Sequence, residues 1–298
     1  MMDLADRIRL RASAAHETRR FFSRRGVVEV QTAVIVQAGV TDVHIESIEL
    51  ADGRFLRSSP EYAHKKLLAA GAGDIYELGP VFRAGECGRL HKPEFLLLEW
   101  YRLGWGWSQL ADEALALVRL LTPGQHWQTR YVAWQDLVAE VLPFDALEAP
   151  FEELSSALDD APQGLERPEL LDWLFASRVQ PRLPDHQLTV VFDYPACHAA
   201  LARLKPGNPK WAERFELFAG SIELANGYRE LTDADEQRRR FELDQQRRTA
   251  LGRRPMPIDD ELLRALARLP ECAGVAMGFD RLLMLIAGAE SISNSGIE

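Results

Sequence analysis

The sequence contains little cysteine and no cysteine-based motif. Its 298 residues include three cysteines, Cys87, Cys197 and Cys272, which are far apart and show no CxxC or Cys/His spacing. Disulfide frameworks and structural zinc sites both depend on such spacing, so neither is expected. We interpret the three side chains as small buried hydrophobes.

Long apolar segments are also missing. No run of about 18 apolar residues occurs, so no transmembrane helix is predicted. The first ten residues carry Asp3, Asp6, Arg7 and Arg9 without an apolar stretch, which does not match a secretory signal. The expected location is therefore the cytoplasm.

The chain has no excess of positive charge. Its net charge is -10, which argues against a general nucleic-acid-binding protein. Arginines nevertheless concentrate in two predicted helices, at residues 7–25 and 238–254. These are interpreted as solvated helix faces or, alternatively, as a docking surface for an acidic macromolecule.

The two common nucleotide-binding motifs, GxGxxG and GxxxxGK[ST], are absent. The pattern also lacks the regular strand–helix alternation of a doubly wound fold. Instead, residues 75–83 and 94–103 predict an antiparallel hairpin with a long polar tip, and residues 122–186 predict a helical insertion. Helices are predicted at 6–25, 61–70, 108–121, 233–251, 259–268 and 280–287. The predicted fold class is α+β with a mainly antiparallel sheet.

The second strand of this hairpin has one unusual face. Because side chains alternate along a strand, Phe95, Glu99 and Tyr101 share a face opposite an ordinary apolar one. Phe95 is suited to stack on a flat heterocycle, Glu99 to bind an amine, and Tyr101 to hydrogen-bond a substrate. The alternative interpretation is a surface hairpin.

The tip of the hairpin is rich in charge. Arg83, Glu86, Arg89, His91 and Lys92 lie in or beside it. Cations next to a stacking surface suit the phosphate chain of a nucleotide. Solvated surface charges are the alternative.

Two further segments carry candidate site residues. Glu223 and Glu230 bracket an Asn226-Gly227 turn, an arrangement that could hold Mg²⁺ or be only a polar turn. The small residues from Gly274 to Gly278 allow close approach of a ligand, and Arg281 opens a helix whose N-terminus favours anions.

Taken together in this order, the segments resemble the signature motifs of class II aminoacyl-tRNA synthetases, and specifically the lysyl branch. Residues 26–32 resemble motif 1, residues 82–95 motif 2 and residues 278–281 motif 3. The resemblance implies a catalytic core with an antiparallel sheet flanked by helices, ATP and Mg²⁺ as cofactors, and a homodimer built through motif 1.

A closer resemblance is to the stand-alone paralogues of that branch, the elongation factor P–(R)-β-lysine ligases. The strings at residues 59–62, 98–102 and 222–227 carry it. It implies one catalytic domain over residues 1–298 without an anticodon-binding barrel, lysine or β-lysine as substrate, elongation factor P as acceptor, and no tRNA. Ser59 and Ala276 replace the usual Ala and Gly of lysyl-tRNA synthetases at the amino-acid end.

The resemblance assigns roles to residues of this sequence. Arg83 is the catalytic residue. The ATP-binding residues are Arg83, Ala84, Gly85, Glu86, His91, Lys92, Phe95, Glu223, Leu224, Gly278 and Arg281. The substrate-binding residues are Ser59, Pro60, Glu61, Glu99, Tyr101, Asn226, Glu230 and Ala276. Glu223 and Glu230 are the metal ligands.

Four positions depart from the family pattern: Ala33 replaces a proline, Ala84-Gly85 replace Asn-Glu, and Lys92 replaces an asparagine. Two alternatives to the ligase hypothesis remain, and only the second draws support from the altered motif 2 loop. One is a minimal lysyl-tRNA synthetase, and the other is a non-catalytic, amino-acid-sensing paralogue.

Overall fold

The computed structural model describes residues 2–295, so Met1 and residues 296–298 of the expected domain lie outside the described part. Its helices are α1 Leu4–Ser23, α2 Glu61–Ala69, α3 Trp107–Leu121, α4 Trp134–Ala139, α5 Phe151–Ala157, α6 Arg167–Leu174, α7 Ala234–Ala250, α8 Asp260–Leu266, α9 Phe279–Ala287 and α10 Ile292–Ser295. A π-helical turn, Phe175–Val179, and two 3₁₀ turns, Gln180–Arg182 and Ala196–His198, complete the helical segments.

The strands are β1 Val28–Glu29, β2 Ile35–Val36, β3 Phe55–Leu56, β4 Ile75–Phe82, β5 Glu94–Leu103, β6 Gln128–Ala133, β7 Gln187–Pro195, β8 Trp211–Ala219, β9 Ile222–Arg229 and β10 Cys272–Gly278. Eight of them form one sheet in the order β1-β4-β5-β10-β9-β8-β7-β6. Only the outermost pairs, β1–β4 and β6–β7, are parallel. The predicted α+β class with a mainly antiparallel sheet is confirmed.

Local sequence explains where the longer helices begin. The Asp3 carboxylate accepts a hydrogen bond from the Asp6 amide at the start of α1, and Asp233 accepts from two amides at the start of α7. Asp259 accepts from the Leu262 amide at the start of the shorter α8. Each carboxylate satisfies amides that have no partner within the helix, and its charge suits the positive end of the helix dipole.

The two faces of the sheet have different coverings. Helices α1, α3 and α9 cover one face, where Phe22, Trp100, Leu117, Met277 and Phe279 are fully buried. On the other face, α4 to α6 pack against β7 and β8, while α2, α7 and α8 pack beside β5 and β10. The middle of this second face remains open as a cavity.

The segment expected to be a helical insertion contains a strand. Residues 128–133 form β6, which pairs in parallel with β7 as the last strand of the main sheet. The expectation was wrong here because most side chains of β6 are exposed or half-buried, and such an edge strand lacks the apolar alternation that identifies strands. Helices α4 to α6 do lie in the segment, and its status as an insertion stays a prediction.

The cysteines also differ from expectation. Cys272 is buried, but Cys87 and Cys197 are exposed. Cys87 lies in the polar tip of the β4–β5 hairpin and Cys197 in a 3₁₀ turn, where neither has an apolar layer to enter.

Candidate active site

A cavity of about 730 Å³ occupies the open face of the sheet. Strand β5 contributes Phe95, Glu99 and Tyr101 to it, whereas Leu98 and Trp100 point into the core. This is the separation of faces that alternation along the strand predicts. Strands β9 and β10, helix α2 and helix α7 complete the walls.

Most of the expected site residues line this one cavity. They are Ser59, Glu61, Arg83, Glu86, His91, Lys92, Phe95, Glu99, Tyr101, Glu223, Leu224, Asn226, Glu230, Ala276, Gly278 and Arg281. Pro60, Ala84 and Gly85 are not among the lining residues. The structure therefore brings together four segments that are up to 222 positions apart, from residue 59 to residue 281.

Two arginines and an aromatic ring define one end of the cavity. The guanidinium of Arg83 lies 5.1 Å from the centre of the Phe95 ring and contacts Glu86 at 3.4 Å. Arg281 donates from Nη1 to the Glu223 backbone oxygen at 2.9 Å. This end offers a stacking surface with positive charge beside it, which suits a nucleotide.

Strand β5 and helix α1 hold Arg281 in place through its neighbour. The Asp280 carboxylate accepts hydrogen bonds from the Leu96 amide at 2.7 Å and from Arg11 Nη1 at 2.9 Å. Arg281 Nη2 lies 2.9 Å from His91 Nε2. Burial and the charge of Arg281 lower the pKa of His91, so this imidazole is neutral and accepts the hydrogen bond at Nε2.

Carboxylates define the other end. Glu99 is 2% exposed and accepts hydrogen bonds from Ser59 Oγ at 2.7 Å and from the Tyr101 hydroxyl at 2.9 Å. Glu61 accepts from the Tyr228 hydroxyl at 2.6 Å. Burial raises the pKa of both phenols well above the ordinary value, so they remain protonated donors.

Lys65 is a member of this site that sequence reasoning missed. Its side chain is fully buried, and Nζ lies 2.7 Å from Glu61 and 2.6 Å from Glu230. The spacing of Glu61 and Lys65, four residues apart on one helix, is a signal that could have identified the first pair. The second pair required the tertiary structure.

The amino-acid end thus has more carboxylates than cations in contact with them. Burial raises the pKa of Glu230 to about 8, although Lys65 opposes this shift. A cationic amine that entered between Glu61, Glu99 and Glu230 would supply the missing positive charge. The geometry therefore suits an amine-bearing substrate.

A glycine makes this end accessible. A Cβ added at Gly274 would lie 2.3 Å from Tyr101 Cε1 and 2.5 Å from Glu230 Oε1. Both distances are shorter than any tolerable contact, so only glycine lets Tyr101 and Glu230 approach β10 this closely.

The structure does not bring Glu223 and Glu230 together, and their assignment as ligands of one metal ion stays a prediction. They lie at opposite ends of β9, seven residues apart, which corresponds to roughly 23 Å in an extended strand. The buried Glu230 is paired with Lys65 at 2.6 Å. Within residues 2–295, no group of three His, Cys, Asp or Glu side chains is arranged to hold a metal ion.

Glu216 of β8 lies on the same face of the sheet as Glu223, although it is not among the residues that line the cavity. Its side chain is 13% exposed and accepts hydrogen bonds from the Tyr194 hydroxyl at 2.7 Å and Arg214 Nη2 at 2.6 Å. Burial raises the pKa of Glu216 to about 7; the Arg214 guanidinium opposes this shift and the charge of Glu223 adds to it. A divalent cation between the two carboxylates would relieve that repulsion.

A β-bulge gives Glu223 its direction. Leu217 pairs with Ala225, but Phe218 pairs with Glu223, so Leu224 is an extra residue in β9. Simple alternation would turn Glu223 away from the face of Asn226 and Tyr228. Because the bulge shifts alternation by one residue, Glu223 joins Asn226 and Tyr228 in the cavity wall.

The arginine-rich helices make many ion pairs within the chain. In α1, Arg11 pairs with Asp280 and Arg19 with Glu29. In α7, Arg240 pairs with Glu236, and the fully buried Arg248 pairs with Glu46. These contacts favour a structural interpretation of the arginines over a docking surface.

No helix between residues 2 and 295 is both long and apolar enough to cross a bilayer.

Comparison with known proteins agrees with this geometry. The family model of the class II tRNA synthetases (D, K and N) matches residues 2–295. Proteins named elongation factor P–(R)-β-lysine ligase are similar to the chain: that of Photorhabdus laumondii is 42% identical, with 95% of this chain and 92% of the relative aligned. That of Vibrio cholerae is 39% identical, with 96% and 92% aligned. The chain therefore belongs to the class II tRNA synthetase family and, within it, to the elongation factor P–(R)-β-lysine ligases, and it is a ligase.

Proposed function

We propose that the chain activates (R)-β-lysine or lysine with ATP as an acyl-adenylate and transfers it to a lysine side chain of elongation factor P. The observation that carries this proposal is the two-ended cavity. Arg83, Phe95 and Arg281 line one end, and Glu61 and Glu99 line the other. The names of the relatives support elongation factor P as acceptor and the cytoplasm, where translation takes place, as location.

In the first step, a carboxylate oxygen of the amino acid attacks the α-phosphorus of ATP, and pyrophosphate leaves. Phe95 and Arg281 hold the adenine between them, and Arg83 stabilises the negative charge that develops at the α-phosphate. Glu61, Glu99 and Glu230 bind the amines. No protein nucleophile is required, because orientation of two bound reactants alone contributes about 7–11 kcal/mol.

In the second step, the neutral ε-amine of the acceptor lysine attacks the acyl carbon. A C–N bond forms, the bond to the phosphate oxygen breaks, AMP leaves, and the ammonium proton passes to solvent. We further propose a homodimer through residues 26–32. Val28, in edge strand β1, is 55% exposed, and Ile8 of the preceding helix is 49% exposed.

Glu223, in the cavity wall, and Glu216, on the same face of the β8–β9 pair, would hold Mg²⁺ at this site. Mg²⁺ keeps most of its shell for water and phosphate oxygens and needs only one or two protein carboxylates. When bound, it would neutralise charge on the phosphate chain. The raised pKa of Glu216 beside Glu223 is the feature that suits a cation.

Replacing Glu216 with glutamine is expected to raise the Mg²⁺ concentration for half-maximal ATP–pyrophosphate exchange by on the order of tenfold, because one of two donors is weakened. Glu213→Gln, on the same strand, is the matched control and should leave this concentration unchanged. If Glu216→Gln left the Mg²⁺ requirement unchanged and Glu230→Gln raised it, Glu223 and Glu230 would be supported as the metal ligands instead.

The proposed function is tested by ATP–pyrophosphate exchange with α-lysine and β-lysine in parallel, followed by transfer of the labelled amino acid to elongation factor P. Exchange and labelling of the factor support the proposal. Transfer to tRNA instead would identify a minimal lysyl-tRNA synthetase. Amino-acid binding without exchange would identify a sensor.

A further inference from the structure

His64 lies directly behind the amino-acid end of the cavity. It belongs to α2, and its side chain is fully buried. Nε2 lies 3.0 Å from a Glu77 oxygen of β4, and Nδ1 lies 3.4 Å from a Glu99 oxygen of β5. The ring packs edge-on against Tyr101 at 5.5 Å between centroids. Both nitrogens of this imidazole therefore face carboxylates.

Glu77 can only accept hydrogen bonds. Arg57 Nη2 lies 2.8 Å from one of its oxygens, and the Thr32 hydroxyl donates to the other at 2.7 Å. Burial raises the pKa of Glu77, but hydrogen bonds from His64, Arg57 and Thr32 outweigh burial and lower it to about 2. Because this carboxylate is ionised, His64 Nε2 must carry a hydrogen.

The position of the remaining proton follows from counting donors. A neutral imidazole has one N–H, so a neutral His64 that donates to Glu77 would turn a lone pair toward Glu99. That Glu99 oxygen already accepts from the Tyr101 hydroxyl at 2.9 Å. The contact is attractive only if a second proton lies between Nδ1 and Glu99, which makes His64 an imidazolium with two carboxylate partners.

We propose that His64 is a positioning residue, which as an imidazolium holds Glu99 in its amine-binding orientation and links it through Glu77 to Thr32. The proposal rests on the proposed function, because it takes Glu99 as a carboxylate that binds the substrate amine. With His64 charged, two cations, Lys65 and His64, contact the carboxyl groups of Glu61, Glu99 and Glu230.

The arrangement makes amino-acid binding dependent on pH. Burial lowers the pKa of His64, but the hydrogen bonds to Glu77 and Glu99 outweigh burial and raise it above 6.5. A group with a raised pKa contributes its full stabilisation below pH 6.5 and loses it as pH rises through the folded-state value. Above that value, Glu99 loses a donor and faces a lone pair instead.

Three variants test this role by exchange kinetics between pH 6 and 9: His64→Leu, His64→Gln and, as control, His126→Gln in an exposed loop. We expect His64→Leu to raise the amino-acid KM on the order of tenfold, the value of a lost charge-assisted hydrogen bond, with the ATP KM unchanged. His64→Gln should retain part of the affinity. Because the substrate amines titrate identically for all enzymes, the wild-type to His64→Gln ratio of KM values should change with pH.

The proposal would be overturned if wild type and His64→Leu had equal amino-acid KM values, or if the ratio of wild-type to His64→Gln KM values stayed constant with pH. A measurement that does not depend on activity tests the charge of His64 separately from the proposed function. In ¹⁵N-histidine NMR, the His64 signals, assigned by their loss in His64→Gln, should show both nitrogens protonated at pH 7. A neutral His64 at that pH would refute the imidazolium even in an active enzyme, and a protonated one would support it even if no exchange occurs.

Discussion

Replacing Arg83 with alanine is expected to lower the rate of adenylate formation by about 10²–10³-fold, the cost of removing one preorganised donor from developing transition-state charge. Its contacts with Glu86 and with the Ser58 backbone oxygen are both 3.4 Å long, at the weak end of the hydrogen-bond range. The side chain is also 24% exposed. The substitution should therefore leave the fold intact, and ATP–pyrophosphate exchange measures the lowered rate of adenylate formation directly.

The matched control is Arg89→Ala in the same hairpin tip. Arg89 donates to the Glu290 backbone oxygen at 3.1 Å and does not line the cavity, so its loss should change the rate little. Arg83→Lys should be intermediate, because lysine keeps the charge but not the planar fork of donors. Wild-type exchange by Arg83→Ala would remove Arg83 from the mechanism.

Replacing Lys65 with methionine is expected to lower the free energy of unfolding by about 3–5 kcal/mol, because it leaves two carboxylates buried without their cation. Methionine has a similar length, so lost packing contributes little. The raised pKa of Glu230 predicts the dependence on pH: the folded protein binds the extra proton more strongly than the unfolded chain. Without Lys65 the pKa of Glu230 rises further, so the deficit should be nearly constant below pH 8 and grow as the pH rises above 8.

Urea unfolding of the variant and of Lys66→Met measures this effect. Lys66 is the adjacent residue, 32% exposed and paired with Asp259 at 2.6 Å, so its loss should cost no more than about 1 kcal/mol. The double variant Lys65→Met/Glu230→Gln should recover part of the loss, since it removes one of the unpaired charges. Equal losses for Lys65→Met and Lys66→Met would show that the buried pairs do not stabilise the fold.

The β4–β5 hairpin shows what local pattern can predict. Side chains alternate between the two faces along both strands, and the whole of β4 pairs with β5 without a register shift. The side of Phe95, Glu99 and Tyr101 could therefore be assigned correctly from the sequence. The same reasoning failed for β6, whose exposed side chains leave no apolar alternation to recognise, although its backbone completes the sheet.

The acidic residues of β9 show where local pattern stops. Glu223 and Glu230 look like a pair because they flank the same Asn-Gly dipeptide, yet an extended strand separates them. The bulge at Leu224 and the pairing with β8 turn Glu223 instead to the face of the sheet that carries Glu216. Register and bulges depend on the partner strand, so the sequence of β9 alone does not predict that Glu216 lies near Glu223.

By itself, the sequence determined the antiparallel core, the orientation of β5 and the set of segments that meet around the cavity, because alternation and turn chemistry are properties of neighbouring residues. Only the tertiary structure decided which charges become partners: Lys65 with Glu230, His64 with Glu99 and Glu216 beside Glu223. Those pairings join residues from different elements, and their strength comes from burial, which exists only once the elements have packed.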